Sequence, residues 1–250
     1  MNNFDLMYKY TSCELAKQIL ADERIRFTQL ADLNDPFEHS VDYEWKLESE
    51  MTSEERASAG ASIEAYRQET LVLSLSANPL NLLMWAHYAN NHCGVVLGID
   101  WKAAALEVDS HTHGRVTYSD IRRHHQFVKR LEDRRIVVRP DQAGLFHKGI
   151  HWAYEEEFRV ILPSGSWQRS QHAELSKPDG TPIYLFPLPT EAVQRVIVGA
   201  RVGRGKRQEL LTILDTKGRR AKATEVAVCE MDPFRHAVFP DQVAWGYTGE

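Results

Sequence analysis

Three observations predict an α+β fold in a single domain spanning residues 1–250. About eight strand-like and five or six helix-like segments follow one another in no strict alternation, which favours α+β over a doubly wound parallel sheet. Two capping-box spacings announce helices at defined points. A length of 250 residues, with 43% hydrophobic and 26% charged residues, is enough to bury one full core.

Taken in order, "LMYKY" reads as a first strand. The run Thr11-Ser12-Cys13-Glu14 then starts a helix whose expected apolar face is Leu15, Ala16, Ile19 and Leu20. "IRF" is a strand and "DLNDPFE" a turn by its Asn-Asp-Pro chemistry. Thr52 and Glu55 open a more polar helix running toward Arg67. "TLVLSLS" alternates, with Leu71, Leu73 and Leu75 on one side and Val72, Ser74 and Ser76 on the other. "NLLMWAHYA" is a short helix and "GVVLGID" a buried strand. "IRRHHQFVKRLEDRR", residues 121–135, is a basic helix, and "SGSWQRSQHAELSKPDG" a polar loop. "PIYLFP" and "QRVIVG" are strands, "KRQELLTILDT" a helix and "EVAVCEMD" the last strand.

Several function classes are disfavoured. No apolar run approaches the roughly 20 residues that span a bilayer, and no signal peptide is visible, so a cytoplasmic protein is expected, with no membrane partner. Cys13, Cys93 and Cys229 are odd in number and far apart, which suggests reduced thiols. A net charge of −5 argues against nucleic-acid binding by the whole surface. Local binding is left to the segment carrying Arg122, Arg123, Lys129, Arg130, Arg134 and Arg135, whose simpler reading is a solvated face. "VIVGARVGRGKR" fails the P-loop spacing at Ala200 and Arg207, and "GVVLGID" lacks the three-glycine dinucleotide fingerprint. His147, His151 and Glu155 stand four apart, but Gly149 and a following strand break the helix that would align them, so no metal is expected there.

The stretch "HWAYEEEFRVIL", residues 151–162, raises the functional question. Read as a strand, it points Glu155, Glu157, Arg159 and Ile161 one way and Tyr154, Glu156, Phe158, Val160 and Leu162 the other. Two carboxylates side by side suit chemistry on a sugar or a phosphate. Asp35 and Glu38 of "NDPFE" are further acids, and Lys148 lies nearby in sequence. In "MWAHY", Trp85, His87 and Tyr88 offer an aromatic shelf with a histidine, suited to a planar ring or a ribose hydroxyl.

Taken together, "YKY" at 8–10, "IRFTQLADLNDPFE" at 25–38, "LSLS" and "NLLMWAHYANNHCGVVLGID" within 73–100, "VTY" at 116–118 and "WAYEEEFRV" at 152–160 resemble the successive motifs of a bacterial family, domain of unknown function 2971. That likeness extends over roughly residues 6–200. More remotely, the chain resembles the ADP-ribosyltransferase fold, whose split mixed β-sheet clamps NAD and presents three motifs in order. Tyr8, Lys9 and Tyr10 stand where that fold usually carries Arg or His. Ser74 and Ser76, with His87 and Tyr88 behind them, match the second motif, and Glu155-Glu156-Glu157 the third.

The resemblance implies an NAD-consuming transferase acting as an intracellular toxin or antiviral defence effector, with a nucleic-acid or protein acceptor and an antitoxin as partner. Glu157 would stabilise the oxocarbenium-like state formed as nicotinamide leaves, and Glu155 would orient or deprotonate the acceptor. His87 would act beside them. Tyr8, Lys9, Tyr10, Ser74, Ser76, Trp85 and Tyr88 would hold NAD. Two other readings stand beside this one: a metal-dependent nuclease using Asp35, Glu38, Glu155, Glu157 and Lys148, and a non-catalytic interaction domain.

Overall fold

The computed structural model describes residues 6–38, 52–104, 112–121, 142–163, 173–216, 225–231 and 238–241. The basic segment beyond Ile121 and much of the expected loop after Pro163 lie outside the described residues.

The chain enters through β1 (Leu6–Thr11), α1 (Cys13–Asp22) and β2 (Arg24–Gln29). Ser12 caps α1 by accepting the Leu15 amide at 3.2 Å. Its buried face is Cys13, Ala16, Ile19 and Leu20; Leu15, expected on that face, is 43% exposed because the helical rotation of about 100° per residue carries it to one side of that stripe. Then come α2 (Ser53–Glu69), β3 (Leu71–Ser76), α3 (Leu82–Tyr88) and β4 (Val95–Asp100). Thr52 and Glu55 form the full reciprocal capping box expected of them. Asn81 caps α3 through the amides of Leu83 and Met84. Asn90, Asn91 and His92 then run left-handed, at φ 47°, 53° and 67°, a conformation that asparagine tolerates better than most residues. Gly94 follows because a Cβ there would lie 2.2 Å from the Thr11 carbonyl oxygen.

The rest is mostly strand: β5 (Thr112–Arg115), β6 (Thr117–Ser119), β7 (His147–Gly149), β8 (Glu157–Leu162), β9 (Ala173–Ser176), β10 (Pro182–Pro187) and β11 (Val193–Val198). The last elements are α4 (Arg204–Thr216), β12 (Glu225–Met231) and β13 (Val238–Asp241). The fold is α+β around a mixed central sheet, as expected. Strand order runs β13-β12-β11-β4-β1-β3-β2-β10-β9, with β8 added to β3 and β5 to β8. Its pairs are antiparallel except β11 with β12, whose parallel pairing requires the crossover that contains α4. The strands beyond those expected are chiefly the short β5, β6, β7, β9 and β13, each of three or four residues and too brief to show a period.

Alternation sets the layers. Leu71, Leu73 and Leu75 of β3, Val95, Leu97 and Ile99 of β4, and Phe158, Val160 and Leu162 of β8 all enter the main core, where Leu20 of α1 and Leu210 of α4 cover them. The opposite face packs Tyr8, Tyr10 and Val96 against Met84 and Trp85 of α3. No described helix is long and apolar enough to cross a membrane.

One feature of the sheet positions the site. Along one edge β3 pairs with β8 over its full length, from Leu71↔Leu162 to Ser76↔Glu157. The other edge is shared: β2 takes its beginning, Thr28↔Val72 and Gln29↔Leu71, and β1 takes its end at Tyr8↔Ser76. Between those contacts β1 and β2 part, and the sheet forks beside Ser74.

Candidate functional site

At the fork the backbone carbonyl of Ser74 accepts a hydrogen bond from Lys9 Nζ at 3.0 Å, so a side chain takes the place of a strand partner. A cavity of about 220 Å³ opens there. Tyr8, Lys9 and Tyr10 of β1, Ser74 and Ser76 of β3, Tyr88 of α3, Lys148 of β7, and Glu38, Glu155 and Glu157 all line it. Tyr8, Lys9, Tyr10, Ser74, Ser76, Tyr88, Glu155 and Glu157, distant in sequence, were expected to act together, and one cavity collects them.

The acidic triplet reaches the cavity by a different route from the expected strand. Residues Ile150–Glu155 form a 3-10 turn, Glu156 is left-handed at φ 44°, and β8 begins only at Glu157. The turn hydrogen-bonds the Glu156 amide to the Ala153 carbonyl, and the left-handed residue reverses the direction of the side chains on either side of it. Glu155 and Glu157 therefore face the cavity and are each 4% exposed. Glu156 points to solvent, where it accepts from Asn78 Nδ2 at 2.8 Å.

Two buried cations knit the carboxylates together. Lys148 Nζ lies 2.6 Å from Glu155, 3.1 Å from Glu38 and 3.6 Å from Glu157, and stands 4.5 Å over the Trp152 ring. Arg159, 1% exposed, donates to Glu157 through Nε and Nη2, both at 2.8 Å, to Glu38 through Nη2, and to the Leu145 carbonyl at 2.7 Å. This forked geometry holds a carboxylate bidentately, as a lysine could not. Tyr118 Oη accepts the Glu157 amide at 2.8 Å. The Tyr88 hydroxyl donates to Glu155 at 2.5 Å and accepts from Asn34 Nδ2 at 2.6 Å. Ser76 Oγ donates to the Glu155 carbonyl at 2.7 Å, fixing the turn against β3.

These surroundings drive the two acids apart. Burial raises the Glu155 pKa above the usual carboxylate range, and Lys148 offsets this only in part. Burial would also raise Glu157, but the charges and hydrogen bonds of Arg159, with Lys148 behind them, overcome it and hold Glu157 well below that range. Neighbouring carboxylates with separated proton affinities are the arrangement that divides acid and base roles in one site. The sign of the linkage follows. Glu157 contributes stability that is fully present above its unfolded pKa near 4.5 and is lost as pH falls through its lower folded value. Thermal melts from pH 5 down to pH 2 should therefore show the wild type losing more stability than Glu157→Gln; parallel curves would contradict the ion pair.

Three candidate site residues, His87, Trp85 and Asp35, stand elsewhere. His87 is exposed, its ring 6.3 Å from Tyr88 and 6.1 Å from Tyr154, and does not line the cavity, because its place on α3 turns it outward. Trp85 is fully buried, donates its indole N–H to the Pro79 carbonyl at 3.0 Å and meets the edge of Tyr10 at 5.5 Å, so it is a core residue rather than a ligand shelf. Asp35 accepts the Phe37 amide at 3.0 Å and lines an adjoining cavity instead, beyond Glu38 and Lys148. His151 is exposed on the 3-10 turn. Among the described residues no His, Cys, Asp and Glu side chains gather as a metal site, and the ammonium of Lys148 occupies the point between the three glutamates. Arg159, Tyr118 and Asn34 carry weight that the sequence reading did not assign. Arg159 was legible as the residue two beyond Glu157 on one strand face; Tyr118 comes from β6 and Asn34 from a bend, both distant in sequence.

Residues 84–160 match the family model described as protein of unknown function (DUF2971). The chain carries a DUF2971 region. It is narrower than the span over which the sequence motifs suggested the likeness. The DUF2971 region takes in Tyr88, Lys148, Glu155, Glu157 and Val160 at its boundary, together with Arg159, while β1, Glu38, Ser74 and Ser76 precede it. No curated protein and no solved structure matches the chain significantly.

Proposed function

We propose that this protein consumes NAD and transfers ADP-ribose to a nucleic-acid or protein acceptor, in the manner of the ADP-ribosyltransferase fold. The observation that carries this reading is the forked sheet, whose cavity gathers the first-strand tyrosines and lysine, the Ser-x-Ser strand and the paired glutamates. The lining is acidic, which suits the cationic nicotinamide half of NAD and the oxocarbenium-like ribose that follows its loss. The cavity, at about 220 Å³, is below the usual ligand-pocket range of roughly 300–1,000 Å³ and takes that half alone, leaving the diphosphate toward solvent.

Glu157, kept ionised by Arg159, supplies negative charge beneath the ribosyl cation. Glu155, with its higher proton affinity, takes a proton from the acceptor as it attacks. Tyr88 and Lys148 orient Glu155, and Lys9, Ser74 and Ser76 meet the sugar hydroxyls. His87 and Trp85 have no part. The basic sequence 121–135 is the candidate acceptor surface.

The test is a pair of thermal-shift scans, one with NAD and one with Mg²⁺ or Mn²⁺, since a ligand bound only by the native state raises its stability. Incubation with labelled NAD and separate pools of protein, RNA and DNA follows. A shift with NAD and label in one pool supports transfer. Stabilisation by the metal alone, with cleavage of nucleic acid, would replace the reading with a hydrolytic one.

A further inference from the structure

The second cavity, beyond Glu38 and Lys148, has a volume of about 300 Å³, and the NAD reading leaves it without a task. Asp35 lines it and is 2% exposed. Among the described residues its carboxylate takes one hydrogen bond, from the Phe37 amide to Oδ1 at 3.0 Å, and enters no ion pair. The exposed Asp120 lines the same cavity and has no cation partner among them either. Lys148 and Arg159 are already held by Glu38, Glu155 and Glu157, so they leave the charge of Asp35 unanswered. A buried carboxylate without a counter-charge is costly, and a cation seated beside it removes that cost.

The rest of the wall decides which cation. Phe37, Ile150 and Trp152 give the cavity an apolar side, on which Phe37 is 66% and Ile150 40% exposed. A metal ion or an alkylammonium holds its water tightly, and such a side offers nothing in exchange for it; among the described residues no metal-binding group of side chains forms. A guanidinium is planar and weakly hydrated, stacks on aromatic rings, and presents forked N–H donors that match a carboxylate. An anion finds little here. The ring nitrogens of His147 lie within hydrogen-bond distance of the Thr117 and Ser119 hydroxyls and the Ile121 carbonyl, and His151 is exposed, where water and salt screen its charge.

We propose that this second cavity binds a guanidinium group, whose N–H donors meet the Asp35 carboxylate and whose plane lies against the aromatic side of the wall. The Trp152 ring already carries one cation, Lys148 Nζ at 4.5 Å from its centre, and Lys148 in turn is neutralised by the glutamates around it. The site goes beyond the NAD reading and needs no NAD. Its guanidinium comes from an arginine within a polypeptide or from a free small molecule.

The full chain, without NAD, is titrated by calorimetry with N-acetyl-arginine amide, with the citrulline counterpart, which keeps the length and the planar end but carries no charge, and with the lysine counterpart. The arginine compound should bind saturably and about tenfold or more tightly than the other two. Asp35→Asn keeps an acceptor for the Phe37 amide and removes the charge, and should weaken that binding about tenfold or more. Should the variant fail to fold, the ratio of arginine to citrulline affinity in the wild type decides alone. Free arginine separates the sources: equal affinity assigns a small molecule, much weaker affinity an arginine within a chain, and the site stands in either case. Equal affinity for the arginine and citrulline compounds overturns the proposal. So does a folded Asp35→Asn protein that binds the arginine compound as well as the wild type, or a wild type that binds none of the three.

Discussion

Arg159→Leu is expected to cost on the order of 3–5 kcal/mol of folding stability, the largest loss of any single substitution at the fork. The guanidinium is fully enclosed and satisfies Glu157, Glu38 and the Leu145 carbonyl at once. Removing it leaves two buried carboxylates to the one remaining ammonium of Lys148, which Glu155 already claims at 2.6 Å. The isolated charges must then be hydrated by opening the core or protonated near neutral pH, and either route weakens the fold. Arg159→Lys should recover little, because a single ammonium cannot supply the bidentate fork and the bond to Leu145 together. Urea unfolding monitored by tryptophan fluorescence measures this directly. A loss below about 1 kcal/mol, the scale of an exposed ion pair, would show that the network is not desolvated.

Glu157→Gln should lower NAD consumption by roughly a hundredfold or more, the scale of losing one well-placed electrostatic group in a site. The sequence alone suggests that folding would hardly change, since glutamine matches glutamate in size. The geometry changes that expectation: Glu157 carries two hydrogen bonds to Arg159, and the amide can return only one of them as an acceptor while presenting N–H to N–H at the other. A stability loss of about 1.5–3 kcal/mol should accompany the loss of rate. Glu155→Gln should behave differently. An amide there can still accept from Lys148 or Tyr88 but cannot take the acceptor's proton, so NAD cleavage should partly survive while transfer to the acceptor is lost. Glu156→Gln, at an exposed side chain whose hydrogen bond is to Asn78, should be nearly silent. The three variants are compared by labelled-NAD turnover beside thermal melts. Full NAD turnover in a folded Glu157→Gln protein would end the role given to that carboxylate.

The order of elements was largely legible because it rests on local signals. The capping box of Thr52 and Glu55, the helix start after Thr11, the two-residue period of 71–76 and the apolar run of 95–100 are properties of a few adjacent residues, and these elements stand where they were expected, although the first helix is capped by Ser12 and not by the Thr11–Glu14 box that the spacing suggested. The site was legible in part. Glu155 and Glu157 do share a side, but through a left-handed Glu156 rather than a continuous strand; that conformation is uncommon outside glycine and has no composition signature. His87 and Trp85 looked like site residues from type and neighbourhood alone, yet which face of a seven-residue helix meets the cavity depends on what packs against it.

By itself, then, the sequence determined the α+β class, the caps, the alternating core strands and the two acids worth testing, because each depends on residues within one turn or one strand. Only the tertiary structure decided that β1 and β2 part along one edge of β3 and that Lys9 fills the gap. It alone decided that Arg159 and Lys148 split the proton affinities of two neighbouring glutamates. Such properties arise when residues tens to more than a hundred positions apart are brought within hydrogen-bond distance and out of water, where charge interactions strengthen and unpaired groups become costly.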